Sequence, residues 1–107
     1  MATPYITVFC TVPDEKTAKS IAYALVESRL AACCNIIPGL RSIYFWQGKV
    51  QDDAELLLVI KSKKEAFSSL KEKIKSLHPY EVPEILALPV DSGNSEYLKW
   101  LDENVES

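Results

Sequence analysis

Leu56-Leu57-Leu58-Val59-Ile60-Lys61 decides the fold, because this short run is apolar on both sides of an extended chain. Read as the end of a strand from Val50 to about Lys61, it places Leu56, Leu58 and Ile60 on one face and Leu57 and Val59 on the other. Just upstream, Gly48 marks a hairpin turn. The partner stretch, Cys33 to Gln47, is β-rich and interrupted by Pro38-Gly39, which bends or bulges it because proline cannot donate to a central ladder. Working outward, Tyr5 to Val12 alternates Ile6, Val8, Cys10 and Val12 against Tyr5, Thr7, Phe9 and Thr11, the signature of a strand that Pro13-Asp14 stops.

Helical spacing fills the gaps. With Asp14 as N-cap, Ala18, Ile21, Ala22, Leu25 and Val26 recur on one face up to about Arg29. Ser62-Lys63-Lys64-Glu65 spells a capping box, and Phe67, Leu70, Ile74 and Leu77 make the stripe of a second helix ended by His78-Pro79. Val82 to Val90 reads as a fourth strand, kept to an edge by Pro83 and Pro89. A third helix follows, capped by Asn94 or Ser95, with Leu98, Leu101 and Val105 inward. The expected class is α+β: a ferredoxin-like βαββαβ antiparallel sheet with two helices on one face and a C-terminal helix. At 107 residues and 48% apolar content, the chain 1–107 makes one domain, burying roughly two-thirds of its unfolded surface.

Composition removes several classes of function. A net charge of −3 with basic and acidic residues intermixed offers no stripe for a phosphate backbone, so nucleic acid is not an expected partner. The apolar runs fall far short of the roughly 20 residues a membrane span needs, and Met1-Ala2-Thr3-Pro4 is unlike a secretory signal, so the expected compartment is the cytoplasm. Three cysteines, two of them adjacent, are an awkward disulfide set, and reduced thiols suit that compartment. On a strand, Cys33 and Cys34 point to opposite faces and cannot easily clasp one ion, so both read as packing residues.

Both helices of such a fold cover one face of the sheet, yet Leu57, Val59, Tyr5, Phe9 and the Ile43-Tyr44-Phe45 run supply apolar groups to the other. A lone chain would show a large greasy patch, which either the tail helix or further copies must cover.

Three segments carry a resemblance: Arg29-Leu30-Ala31-Ala32-Cys33-Cys34-Asn35-Ile36-Ile37-Pro38-Gly39, Ser42-Ile43-Tyr44-Phe45-Trp46-Gln47-Gly48-Lys49-Val50 and His78-Pro79-Tyr80-Glu81-Val82-Pro83-Glu84. Together they resemble the CutA family of divalent-cation-tolerance proteins. Thr11-Val12-Pro13-Asp14-Glu15, Leu88-Pro89-Val90 and Tyr97-Leu98-Lys99-Trp100-Leu101 extend the likeness nearly end to end. The resemblance implies a homotrimer linked to copper and heavy-metal tolerance, with weak or conditional binding of Cu(II) or another divalent cation and no obligatory cofactor. It also implies Cys10 and His78 as metal ligands, the side chains that soft and borderline metals prefer. Where some members have a further histidine before the His-Pro-Tyr motif, this chain has Leu77.

The layout of elements predicts that Cys10 and His78 lie at opposite ends of the second helix, about 15–20 Å apart in one subunit. A shared metal site would then need a subunit boundary. The alternative function is a trimeric regulatory or scaffold protein, comparable in architecture to nitrogen-regulatory signal trimers, that takes a small metabolite or protein partner in an inter-subunit cleft. Tyr44, Trp46, Lys61, Tyr80 and Glu84 are the candidates for that cleft, with Lys61 and Glu84 orienting an anionic or zwitterionic ligand and Trp46 forming a wall. No nucleophile is paired with a base, and a single histidine leaves little scope for acid–base work, so the chain is not expected to be an enzyme. Acylphosphatases share the architecture, but Thr11-Val12-Pro13-Asp14 lacks their Gly-rich, Arg-bearing loop.

Overall fold

The strand alternation sorts the chain into layers. In the computed structural model, which describes residues Thr3 to Glu106, the elements run β1 (Tyr5–Val12), α1 (Glu15–Glu27), β2 (Cys33–Trp46), β3 (Lys49–Lys63), α2 (Phe67–Leu77), β4 (Leu86–Pro89) and α3 (Ser95–Glu103). The four strands form one sheet in the order β2-β3-β1-β4 with antiparallel pairing throughout, the ferredoxin-like arrangement. The apolar run at the end of β3 lies in the middle, between β1 and β2.

One face of the sheet packs Ile6, Val8, Cys10, Val12, Leu58 and Ile60 against Ala18, Ile21 and Leu25 of α1 and Leu70 and Ile74 of α2. The Asp14 side chain accepts from the Thr17 backbone N–H at 2.7 Å and starts α1 as expected. Val26 and Leu77, expected inside, are exposed, each falling in the last turn of its helix.

The opposite face is only partly covered. α3 crosses its Tyr5 end, where Leu101 and Val105 pack with Ala32, Ala66 and Tyr5. Two tethers hold it there: Lys63 reaches Asp102 at 3.2 Å, and the Arg29 guanidinium donates to the Glu103 carbonyl at 2.6 Å. Cross-strand pairs share a face, so the rest of that face presents Phe9, Leu57 and Val59 beside Ile37, Leu86 and Leu88. Of these, Ile37 is 46% exposed and Leu86 56%.

Three local expectations are corrected. The Ser62-Lys63-Lys64-Glu65 capping box does not form, since Ser62 and Lys63 still belong to β3. The Ser62 hydroxyl donates to the Leu30 carbonyl at 2.6 Å, and α2 begins through a 3-10 turn without a side-chain cap. The fourth strand is confined to Leu86–Pro89, because Pro83 and the turn after His78 keep residues 82–85 off the ladder. Leu98 is half-buried, while Leu101 and Val105 are buried.

The β2–β3 hairpin outruns the helices. Its register shifts between Ile37 and Leu40, where Gly39 has φ +82°, and it turns at Gln47 and Gly48, both with positive φ. Past Glu55 the strands leave the helical layer, so Ile43, Phe45 and Val50 are each about two-thirds or more exposed and the molecule measures 44 × 28 × 23 Å.

Candidate functional site

The chemistry-bearing residues gather where β1 ends. Because β3 runs antiparallel to β1, with Lys63 opposite Tyr5, α2 starts at the N-terminal end of β1 and returns to its C-terminal end. This overturns the expected separation of Cys10 and His78. The His78 Nε2 lies 2.8 Å from the Thr11 carbonyl oxygen, and the Cys10 Sγ approaches the same oxygen at 3.8 Å. The two are neighbours within one subunit.

Their surroundings decide what they can do. His78 is 8% exposed; its Nδ1 accepts from the Tyr80 backbone N–H at 3.1 Å, so Nε2 carries the proton and donates to Thr11. The ring also packs on Tyr80 with centroids 4.7 Å apart. Neither ring nitrogen has a free lone pair for a metal ion. Cys10 is fully buried, and burial first, then the charges of Glu84, Cys34 and Glu55, push its thiol up to about 12, away from the thiolate a metal requires. As folded, the pair does not fit a metal ion. No group of three or more His, Cys, Asp and Glu side chains among the described residues has the arrangement to hold one.

Cys33 and Cys34 behave as strand geometry dictates. Cys33 lies opposite Lys61 and Cys34 opposite Ile60, on different faces, and both thiols are free. Burial pushes the Cys34 thiol up to about 12.

Across Thr11 from the histidine, a cleft of about 750 Å³ opens between the hairpin and the loop after α2. Its walls are Thr11, Ser42, Ile43, Tyr44, Trp46 and Glu55 on the strands and Pro79, Tyr80, Glu81, Val82 and Glu84 on the loop. The loop is aimed by its own contacts: His78 anchors it to the end of β1, and the Tyr80 hydroxyl donates to the Glu55 Oε2 at 2.7 Å. Burial and that bond raise the Tyr80 phenol above its usual range, which keeps it a donor. Opposite, the Tyr44 hydroxyl donates to the Asp53 Oδ2 at 2.6 Å, which raises the Tyr44 phenol in the same direction.

Four of the five cleft residues named from the sequence, Tyr44, Trp46, Tyr80 and Glu84, therefore line one cavity. Lys61 does not. It lies six residues along β3 from Glu55, roughly 20 Å at the rise of a strand, and its ammonium is held by the Asn35 Oδ1 with the Cys33 sulfur at 3.9 Å. Glu55 is what the sequence reading missed. The available signal was phase: it shares the face of Leu57 and Val59, directly opposite Leu40 where the bulge ends.

Comparison with known proteins agrees with this architecture along nearly the whole chain. A divalent-cation tolerance protein CutA of Thermus thermophilus is 63% identical over 97 residues, 91% of this chain and 94% of that protein. A chloroplastic CutA 1 of Oryza sativa is 48% identical over 98 residues; this chain spans about half that protein's length, 55%. The crystal structure of CutA1 from Oryza sativa superposes with a TM-score of 0.95 at 44% identity, covering 99% of this chain and 97% of that one. A periplasmic divalent cation tolerance protein CutA from Archaeoglobus fulgidus does so with a TM-score of 0.92 at 36% identity, covering 95% and 99%. With residues 6–104 also matching the family model of the CutA1 divalent ion tolerance protein, the chain belongs to that family.

Proposed function

We propose that this CutA1-family protein serves divalent-cation tolerance as a homotrimeric binding protein, which receives a small ligand in the cleft at the end of β1. The observation that carries this reading is the cleft itself: aromatic and carboxylate side chains in its walls and a loop held in place by His78 and Tyr80 are the makings of a small-molecule site. Trimerisation supplies cover for the apolar strip of Phe9, Leu57, Val59, Ile37, Leu86 and Leu88 and for the hairpin arm that stands clear of the helices. The reading is of a non-enzymatic protein, because no side chain in the cleft pairs a nucleophile with a base. No helix among the described residues is long and apolar enough to cross a membrane. The cytoplasm is the proposed compartment, although one relative is described as chloroplastic and another as periplasmic.

A second reading, weak copper binding by Cys10 and His78, is favoured by one observation, their meeting at the Thr11 carbonyl. It requires His78 to give up a ring hydrogen bond and a thoroughly buried thiol to ionise. The deciding experiment is a thermal-shift series on the purified protein with copper and with metabolite-sized ligands, beside sedimentation of Leu57→Asp and Val59→Asp variants. A metabolite that stabilises more than copper, together with dissociation of both variants, supports the first reading. A wild-type protein that sediments as a monomer at micromolar concentration overturns it.

A further inference from the structure

We propose that the cleft at the end of β1 takes a small organic cation, an amine or guanidinium, neutralised by Glu55 and laid against Tyr44, Trp46 and Tyr80. The inference rests on the reading of this cleft as a ligand site and settles the sign and class of the ligand.

Charge is the first argument. Glu55, Glu81 and Glu84 line the cavity, and no lysine, arginine or histidine does. Glu55 is 5% exposed, yet its hydrogen-bond partner is the Tyr80 hydroxyl on Oε2, and no cation lies within ion-pair distance among the described residues. A carboxylate that dry is costly unless an opposite charge meets it. The fold treats its other dry charge differently: Lys63, also 5% exposed, is paired with both Glu65 at 3.4 Å and Asp102 at 3.2 Å. Within one chain, Glu55 is the buried carboxylate without an ion-pair partner, and it lines the cleft.

The class of cation follows from the walls. Two tyrosines and a tryptophan line the cavity, and aromatic rings attract ammonium and guanidinium groups. A bare divalent ion needs several donors converging on one point, and no group of three or more His, Cys, Asp and Glu side chains among the described residues has that arrangement. An anion is repelled by three carboxylates, and Lys61, the residue that would have welcomed one, is committed to Asn35 and Cys33 farther along β3. A cavity of about 750 Å³ has room for a ligand of metabolite size.

The test uses tryptophan fluorescence of the full-length Trp100→Phe protein, in which Trp46 is the remaining indole. Agmatine, putrescine, glutarate and manganese chloride are titrated in turn. The expected result is a saturable change with agmatine or putrescine, weakened at least tenfold by Glu55→Gln and a few-fold by the rim variant Glu84→Gln, with none from glutarate. Should Glu55→Gln fail to fold, Glu84→Gln and Tyr80→Phe carry the test, each expected to weaken the amine a few-fold. Saturable binding of glutarate, or of manganese in competition with the amines, overturns the cationic organic class while leaving the cleft a ligand site. Amine binding that none of these variants weakens overturns the role of the carboxylates. No change with any of the four probes overturns both this inference and the cleft reading beneath it.

Discussion

Thr11 separates two regions of opposite character. Behind it, Cys10 and His78 are buried and satisfied: both imidazole nitrogens are used and the thiol is kept neutral by its surroundings. In front, Glu55 is at least as buried as the histidine and has one phenol bond for its charge, at the wall of an open cleft. A group that has all its partners holds structure together, whereas a group that lacks one is available to a ligand. Of the residues that look most like metal ligands in the sequence, His78 anchors the loop and Cys10 packs in the core, while the acid that looks like an ordinary surface residue lines the cavity.

The comparison breaks most visibly at the histidine. His78→Ala leaves the Tyr80 N–H without its partner, leaves the Thr11 carbonyl only the weak Cys10 thiol contact and opens a void, so it should cost about 2–4 kcal/mol in urea denaturation. A loss below about 0.5 kcal/mol would remove the structural role assigned to this ring. Next comes Tyr80→Phe, which strips Glu55 of its phenol bond; the expected cost is about 1 kcal/mol, read from the same denaturation curves. Glu55→Gln should do the opposite. It keeps an acceptor for Tyr80 and removes an unpaired charge, so in ligand-free protein its melting temperature should equal or slightly exceed that of the parent, by up to about 1 kcal/mol of added stability. A markedly less stable Glu55→Gln would show that the carboxylate is already neutralised in the folded protein.

The satisfied side can also be sharpened by pH. The Cys10 thiol is raised from 9.0 to about 12 in the folded protein, so the unfolded chain releases that proton first as pH rises. The stability this contributes is complete below pH 9 and is lost progressively toward about 12. Cys34 behaves alike, so Cys10→Ala should remove about half of the alkaline decline in unfolding midpoint attributable to these two thiols, and an unchanged slope would contradict the buried, neutral thiol. The smallest effect lies at Asp14, held below the usual carboxylate range first by the Thr17 backbone bond. Its contribution is present above the unfolded value of 3.8 and fades as pH falls through the lower folded value. Asp14→Asn should flatten that acid limb of the melting curve.

Much of the fold was legible because its signals are local. Alternation from Tyr5 to Val12, the Asp14 cap, the Pro38-Gly39 bulge and the Gly48 turn each depend on a few neighbouring residues, and the structure has all four. What failed depends on distant partners. Ser62 would cap a helix if Leu30 were not already holding its hydroxyl, and residues 82–85 would extend β4 if His78 did not turn the chain at Thr11. The distance between Cys10 and His78 was misjudged for a topological reason: placing α2 at the wrong end of β1 reverses where the helix finishes. Glu55 was overlooked because a carboxylate beside a hairpin arm reads as surface, and its hydrogen-bond partner, Tyr80, comes twenty-five residues later.

We propose that the satisfied pair behind Thr11 is scaffold and does not bind copper. A competition titration of copper against a chromophoric chelator, run on the parent protein, Cys10→Ser and His78→Ala, tests it directly. Equal copper affinity in all three is the predicted result; a tenfold or greater loss in both variants would contradict it.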